Sequence, residues 1–593
     1  MSIPELFIST KKNEYGKERI YINKKNYNWP ILEEINHKFH IFIIGHPIIK
    51  NKINPSEIIK YIKKNNYLDI DYISEIDGEF LIVYFDIINE TVHLINDRFA
   101  SIPIYYFVKD NDIFISQFYY HLAKKIKKLG TFKINKTAII QFLTLQRLFG
   151  DITYDTLSKY LPASSYLQFK NNKLSIIQYW NPTFEKNNNS LQENAIKLSN
   201  LLRESIRIKT SNIKKPPNLF LSGGLDSRLI FSAFDKNIKC TTFSEKKNNE
   251  TKIAYQVANV KNSNIKHIKT GKDPFSKYLD DIIKLNGGMY VFDHSIFYTL
   301  RHNLGINNSV FFHGHGLDFM LQGKYLPQNS SKIFNYNLSK KTLKKIKGDF
   351  TNYFINNIPY RLKKINFFKL IEQNQQKNLF NILYKSIDDV YKKSLPFSNN
   401  NHDSWNFMTT QNLSRHFSHA NLISMATLGE VRSVVYYNKI FDFYHAIPDE
   451  QKLNGNLFRK TQKILSTELS KIKSANDNIP INLPPILKDM YRVWHRFLYV
   501  IKFNKQKSLW PSSKDRTHPN RDQIFFDSDK MMQKAIDLKK SKFLIELKLI
   551  DMNLLSNFID QWINSPSKGG GALINFLITL NEFFHQLSFD NDK

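Results

Sequence analysis

Cysteine is almost absent: Cys240 is the only one in 593 residues. A single thiol excludes an internal disulfide framework and any zinc cluster built on several cysteines, and it fits a reducing, cytoplasmic compartment. Cys240 lies in Lys239-Cys240-Thr241-Thr242-Phe243, which predicts a buried strand and a core thiol rather than a nucleophile. Hydrophobic runs long enough for a bilayer are missing too. His40 to Ile49 is too short to span, and Ala572 to Phe589 is interrupted by Asn575, Asn581, Glu582 and His585, so it predicts an amphipathic helix and no membrane span. Met1 to Thr10 lacks the basic start and apolar stretch of a secretory signal. Acidic residues are in deficit, 53 against 85 Lys and Arg, for a formal net charge of +32. That excess admits nucleic acid or another anionic surface as a partner. The basic residues, however, are scattered in short runs such as Lys124-Lys125-Ile126-Lys127-Lys128, and Ile, Asn and Phe are in excess beside them. We read them as solvated helix faces, without nucleic acid as a partner. No internal repeat is visible.

The length predicts two or three domains. Residues 1 to about 183 are strand-rich. Arg19 to Ile22, His40 to Ile44, Glu79 to Phe85, Thr91 to Ile95, Ile102 to Val108 and Ile113 to Ser116 are β-branched and aromatic, with turn signals at Asp77-Gly78 and Asp110-Asn111. Pro55 to Asn65 has helical spacing. Asn181-Pro182 and the polar tract Lys186 to Ser190 predict a linker. From 190 to 593 the chain opens with an amphipathic helix, Gln192 to Ile208. It then alternates strand and helix, which predicts a parallel sheet with crossover helices: strands at Asn218 to Leu221, Cys240 to Phe243, Ile265 to Lys269 and Val310 to Phe312, and helices at Ile230 to Phe234 and Glu250 to Val260. Residues 330–400 read as a helical insertion and 500–593 as a helical C-terminal extension.

The sharpest feature is Ser222-Gly223-Gly224-Leu225-Asp226-Ser227, between an apolar strand and a helix start. Glycines let the backbone approach an anion closely. Amides at the helix N-terminus point at it, and two serine hydroxyls can donate to it. Asp226 suits an anion site only if a cation intervenes, and Mg²⁺ between its carboxylate and phosphate oxygens would serve. The chain has no Gly-x-x-x-x-Gly-Lys-[Ser/Thr], so this is not the kinase-type P-loop. The string resembles the pyrophosphate-binding loop of the PP-loop ATP pyrophosphatases.

Other segments extend the resemblance to the asparagine synthetase family, over residues 1 to about 480. Asn249 to Ala258 resembles the helix after that family's second strand. Phe312-His313-Gly314-His315-Gly316-Leu317-Asp318 resembles its Ser-Gly-Glu-Gly-x-Asp loop. Gly429-Glu430-Val431-Arg432 resembles its Glu-x-Arg segment, and Ile440 to Phe443 the stretch after it. Ile76 to Phe80 and Asn96 to Tyr106 resemble motifs of its glutaminase domain. The resemblance implies a glutaminase-like, Ntn-hydrolase-like α+β sandwich followed by an α/β PP-loop sheet with helical additions. It implies that Leu221, Ser222, Gly223, Gly224, Asp226, Ser227 and Gly314 hold ATP, that Phe243 and Ser244 lie near the adenosine, and that Asp226 and Asp318 hold Mg²⁺. Glu430 would manage the proton of an attacking amine. A lysine after the Glu-x-Arg helix would stabilise an oxyanion, with Lys460, Lys471 and Lys473 as candidates and Lys473 preferred.

Two departures shape the expected activity. Glutamine-hydrolysing members carry a cysteine at position 2; this chain has Ser2 and no cysteine before Cys240. A hydroxyl without an arranged base is a weak nucleophile, so no glutaminase activity is expected. In this the chain is similar to β-lactam synthetase, carbapenam synthetase and the lasso-peptide cyclases. His315 stands where the family has Glu or Tyr, and an imidazole held by a carboxylate is a sound base near neutral pH. A His315–Glu430 dyad is therefore expected, with a phosphate- or backbone-bonding His315 as the alternative; Phe319 replaces the family's second acid. The implied enzyme adenylates a small-molecule or peptide carboxylate and passes the acyl group to ammonia or a substrate amine; a homodimer is compatible with the resemblance, and the sequence does not fix the oligomeric state. Adenylation of a tRNA base and a non-catalytic relative are the alternatives.

Overall fold

The computed structural model describes residues 6–9, 20–21, 28–235, 238–302, 309–333, 336–359, 367–501, 520–566 and 570–589. Ser2 lies outside them, as do Arg19 and Ile22 at the ends of the first expected strand and part of the C-terminal extension.

In the N-terminal region the period of two decides the layers. Phe42, Ile44, Leu81 and Val83 face a second antiparallel sheet through Ile104 and Ile113. Their neighbours Ile41, Ile43, Ile82 and Tyr84 face the other way, under helices Pro55–Asn65 and Ile70–Glu75. A sheet buried on both faces needs apolar residues at every position. The strands Phe39–Ile49 and Asp77–Asp86, nearly continuous in apolar residues, supply that and pair antiparallel along their length. Helices Tyr119–Lys128 and Lys136–Leu145 bury their apolar faces with Tyr105, Phe107 and Phe114 of the second sheet. The result is the predicted sandwich, helix on sheet on sheet on helix.

Local chemistry explains one turn and corrects another. Asp110 and Asn111 both have positive φ, 51° and 66°, and join Tyr105–Lys109 to Asp112–Ser116 in a two-residue hairpin. Asp77-Gly78 is not a turn. It opens the strand Asp77–Asp86, where Gly78 has φ +89° and faces Pro47 so closely that a Cβ would strike the His46 carbonyl. The expected linker, 181–190, carries no helix or strand but is fastened down: Lys186 donates to the His445 carbonyl at 2.8 Å and Asn187 N–H to the Ala446 carbonyl at 2.8 Å.

Helix Leu191–Thr210, started by a Ser190–Glu193 capping box, leads into the second sheet. From edge to edge its strands are Ile265–Lys269, Lys239–Ser244, Asn218–Phe220, Val310–His313 and Glu430–Ser433, all parallel. Every strand therefore ends at the same edge, where an open α/β sheet binds its ligands. Residues 330–400 are helical only in part. They begin in a hairpin, Gln328–Ile333 with Tyr336–Leu343, before helices Phe350–Asn357 and Gln373–Ser394. The Glu-x-Arg segment is an edge strand and not a helix, because Val431 buries against its neighbours in the sheet core.

The C-terminal helix Gly570–Phe589 is enclosed on every side over residues 570–580 and turns an exposed face outward only near its end, at His585 and Ser588. Leu573, Phe576, Leu577, Leu580 and Phe583 are fully buried, and so are Asn575 and Thr579. Of the polar breaks that suggested an amphipathic helix, Asn575 and Glu582 are buried, Asn575 donating to Asp293 at 3.1 Å and Glu582 accepting from Lys534 at 2.9 Å, while Asn581 is half-buried and His585 is exposed. Phe583 stacks on Tyr119 and Phe576 meets Phe142, so this helix joins the two halves of the chain.

Candidate functional site

The loop Ser222–Ser227 leaves the central strand and enters helix Asp226–Ala233. The Ser227 hydroxyl accepts the Ser222 N–H at 3.1 Å, the two hydroxyls are 3.1 Å apart, and Gly224 N–H donates to Ser222 Oγ at 3.1 Å. These bonds curl the loop around a hollow lined by hydroxyls and the helix start. Gly223 is glycine for lack of room. A Cβ there would stand 2.7 Å from Ala475 Cβ and 2.9 Å from the Glu250 carbonyl.

The segment that presses on Gly223 carries Lys473. Ala475 N–H donates to the Gly223 carbonyl at 3.0 Å, and buried Arg228 ties Ile472 and Lys473 down through their carbonyls at 2.7 and 2.8 Å. Lys473 itself is exposed at the edge of the loop. Lys460 and Lys471 belong to the helices before this segment, Asn456–Leu465 and Thr467–Lys471. Arg228 was not anticipated, although an arginine two residues after Asp226 inside an apolar helix was a visible signal.

Asp226 and Asp318, 92 positions apart, line one cavity of about 260 Å³. Asp318 sits on the helical turn Leu317–Leu321 that follows Gly316, whose φ of +98° turns the chain back toward the loop. Gln322 donates to Asp226 at 2.5 Å. Burial first, and then the neighbouring Asp318 charge, push the Asp226 carboxyl up to about 7, against the pull of Lys324 and the Gln322 bond. Two carboxylates that repel across a shared cavity are a hard, all-oxygen donor set that a divalent cation would relieve. Among the described residues no group of three or more His, Cys, Asp or Glu could hold a metal by itself.

Leu221, Ser222, Ser227, Phe243 and Gly314 join the two aspartates around the cavity. Ser244 does not. Its hydroxyl is buried against the Lys246 carbonyl and His267 Nε2, both at 2.8 Å. Gly223 and Gly224 shape the loop rather than the cavity wall. His315 does line the cavity, buried among Phe319, His416, His419 and Tyr436, with Nδ1 3.2 Å from Ser418 Oγ. The His-rich stretch His416-Phe417-Ser418-His419 behind it was also overlooked.

Glu430 is not beside His315, and the expected dyad does not form. In parallel register Glu430 pairs with Val310, at the start of both strands, and His315 follows Val310 by five residues, beyond the strand's far end. At about 3.3 Å per residue that separation is roughly 16 Å. Glu430 instead accepts from His46 of the N-terminal region at 2.6 Å and from Arg432 at 2.5 and 2.6 Å.

Residues 197–470 match the family model described as asparagine synthase. No curated protein matches the chain. Among solved structures it is similar to one titled as the allosteric regulatory enzyme of purine biosynthesis, at 6% identity over 40% of this chain and 46% of that one, TM-score 0.17. Another is the glutamine phosphoribosylpyrophosphate amidotransferase from B. subtilis complexed with ADP and GMP, at 6% identity over 42% of this chain and 50% of that one, TM-score 0.15. The chain thus spans about half the length of these structures, and at such scores neither carries an argument.

Proposed function

Because residues 197–470 form an asparagine synthase domain, we propose that this chain is an ATP-dependent amide ligase that works without glutamine. It would join a carboxylate to the α-phosphorus of ATP, release pyrophosphate, and pass the acyl group from AMP to ammonia or a substrate amine. The observation that carries this reading is the meeting of Asp226 and Asp318 in the cavity beside the Ser222–Ser227 loop. Asp226 and Asp318 would hold Mg²⁺, which neutralises charge on the triphosphate. The hydroxyls of Ser222 and Ser227 and the loop amides would hold the departing pyrophosphate. Phe243 and Leu221 give the cavity apolar walls suited to the nucleoside. Lys473, pinned beside the loop by the Arg228 contacts, is the lysine we assign to the oxyanion of acyl transfer.

Absence of glutamine hydrolysis is supported by composition. The only thiol, Cys240, is buried in the sheet, and burial pushes it up to about 12, far from a thiolate at neutral pH.

A panel of carboxylic acids tests the proposal by acid-dependent exchange of labelled pyrophosphate into ATP. At least one acid is expected to support exchange, and Asp318→Asn should lower it at least about 100-fold, the scale of losing one charge-stabilising group. Amide formation should follow with ammonium and not with glutamine. No exchange with any acid, or exchange indifferent to Asp318, contradicts the reading.

A further inference from the structure

The helix Pro485–Ile501 lies beyond the residues 197–470 that match the family model, and its two faces are inverted. At about 3.6 residues per turn, Lys488, Asp489 and Arg492 fall on one side of its first half, and Ile486, Leu487, Met490 and Val493 on the other. A surface helix normally turns its apolar stripe to the core. Here the charged side chains are 14–20% exposed and the apolar ones 44–62%, with Trp494 beside them at 59%.

The charged side is what fastens the helix down. Asp489 accepts the Ser339 N–H of the hairpin strand Tyr336–Leu343 through both oxygens, at 3.0 and 2.8 Å, and Arg492 donates to the Ser339 hydroxyl. Lys488 and Arg492 reach Asp477 at 3.6 and 3.9 Å. These polar contacts fix which face looks outward, so the apolar stripe is held out by specific bonds. Contiguous apolar surface presented in this way marks an interaction site.

Charge decides what the stripe meets. The strand under the helix and the turn after it, residues 336–348, carry Lys340, Lys341, Lys344, Lys345 and Lys347 and no acid. Lys340, which follows the anchoring Ser339, is exposed, and so are Lys345 and Lys347. A second copy of a chain with net charge +32 would bring like charge against this basic strand. Nucleic acid would take the lysines and leave the apolar stripe in water. A bilayer with anionic headgroups takes both, the lysines at its phosphates and the stripe in the boundary between headgroup and acyl chain, where a tryptophan ring also sits well. We propose that helix Pro485–Ile501 is a peripheral membrane anchor, which lies in the plane of an anionic lipid surface and docks the chain on it. The inference stands apart from the adenylating reading above.

Co-sedimentation of the full chain with lipid vesicles tests the anchor. The chain should pellet with vesicles of equal parts phosphatidylcholine and phosphatidylglycerol and stay in solution with phosphatidylcholine alone. Tryptophan emission should move to the blue on binding, by a shift that Trp494→Phe diminishes. Met490→Asp combined with Val493→Asp, both on the outward face, should lower vesicle affinity at least about tenfold, with the urea midpoint of the chain unchanged. Lys340→Glu combined with Lys345→Glu leaves the helix as it is and should also lower affinity at least about tenfold. A chain that ignores the anionic vesicles, or either double variant binding them as well as the parent, overturns the proposal. So does a dimer in sedimentation velocity that the Met490, Val493 variant dissolves, since the stripe would then belong to a second copy.

Discussion

What a buried carboxylate does depends on its neighbour. Asp226 meets another carboxylate and is pushed up, so it favours a proton or a cation. Glu430 meets an arginine and a histidine. Burial raises it, but the bond from His46 and the charges of His46 and Arg432 outweigh that and hold it down at about 2, below the ordinary 4.5. A carboxylate depressed in the folded state stabilises the fold above its ordinary pKa and loses that contribution as pH falls through the folded value. Glu430→Gln should therefore cost roughly 2–3 kcal/mol at pH 7, since each tenfold change in proton affinity on folding is worth about 1.4 kcal/mol. The cost should shrink to less than half by pH 3, in urea midpoints of both proteins at the two pH values. An equal cost at both would mean that the carboxylate charge is not what His46 and Arg432 recognise. The chemistry was legible where it is local. Ser-Gly-Gly-x-Asp-Ser named its own loop, and Asp318 could be matched to it by motif. Glu430 was misassigned because strand register, which sets which edge of the sheet a residue occupies, leaves no mark on a four-residue segment.

Elements were read well where pattern and surroundings agree. Pro55–Asn65 and Ile265–Lys269 have the residues expected of them, because helical spacing and a β-branched run each bury an obvious face. Pattern failed for Gly570–Phe589, since periodicity reports polar positions but not whether other elements satisfy them. Asn575 and Glu582 look like a wet face and are inside. It failed again for the hairpin Gln328–Ile333 and Tyr336–Leu343, whose Lys- and Asn-rich composition carries little strand preference. A helix so enclosed should be costly to hollow out. Phe576→Ala, at a fully buried ring on Phe142, should lose about 3–5 kcal/mol. Because the ring contacts the N-terminal region from the far end of the chain, the loss should appear as one lowered transition in calorimetry. A second, unshifted transition would show that the C-terminal helix is not shared.

At the scale of the whole molecule, the N-terminal region is fused to the parallel-sheet domain and is not an appendage to it. Glu79, on a central strand of the sandwich, and Lys209, at the end of helix Leu191–Thr210, form a buried pair at 2.9 Å with exposures of 1% and 0%. Lys209 also donates to the carbonyls of Ser433 and Tyr436 at 2.6 Å, and Glu79 accepts the Ser433 N–H at 3.1 Å. The pair therefore holds the end of the edge strand and the chain after it up to Tyr436, whose ring lies 5.9 Å from that of His315. Removing one partner strands a buried charge, so Lys209→Met should cost about 3–5 kcal/mol, whereas the Glu79→Met, Lys209→Met double variant should cost much less. Equilibrium denaturation of the singles and the double reads that coupling directly. Pyrophosphate exchange in the double variant then separates support from catalysis. Restored stability with restored exchange means that the pair serves only to dock the two regions. Restored stability with exchange still low means that its bonds to Ser433 and Tyr436 hold the Tyr436 ring against His315, and that the cavity leans on the N-terminal sandwich.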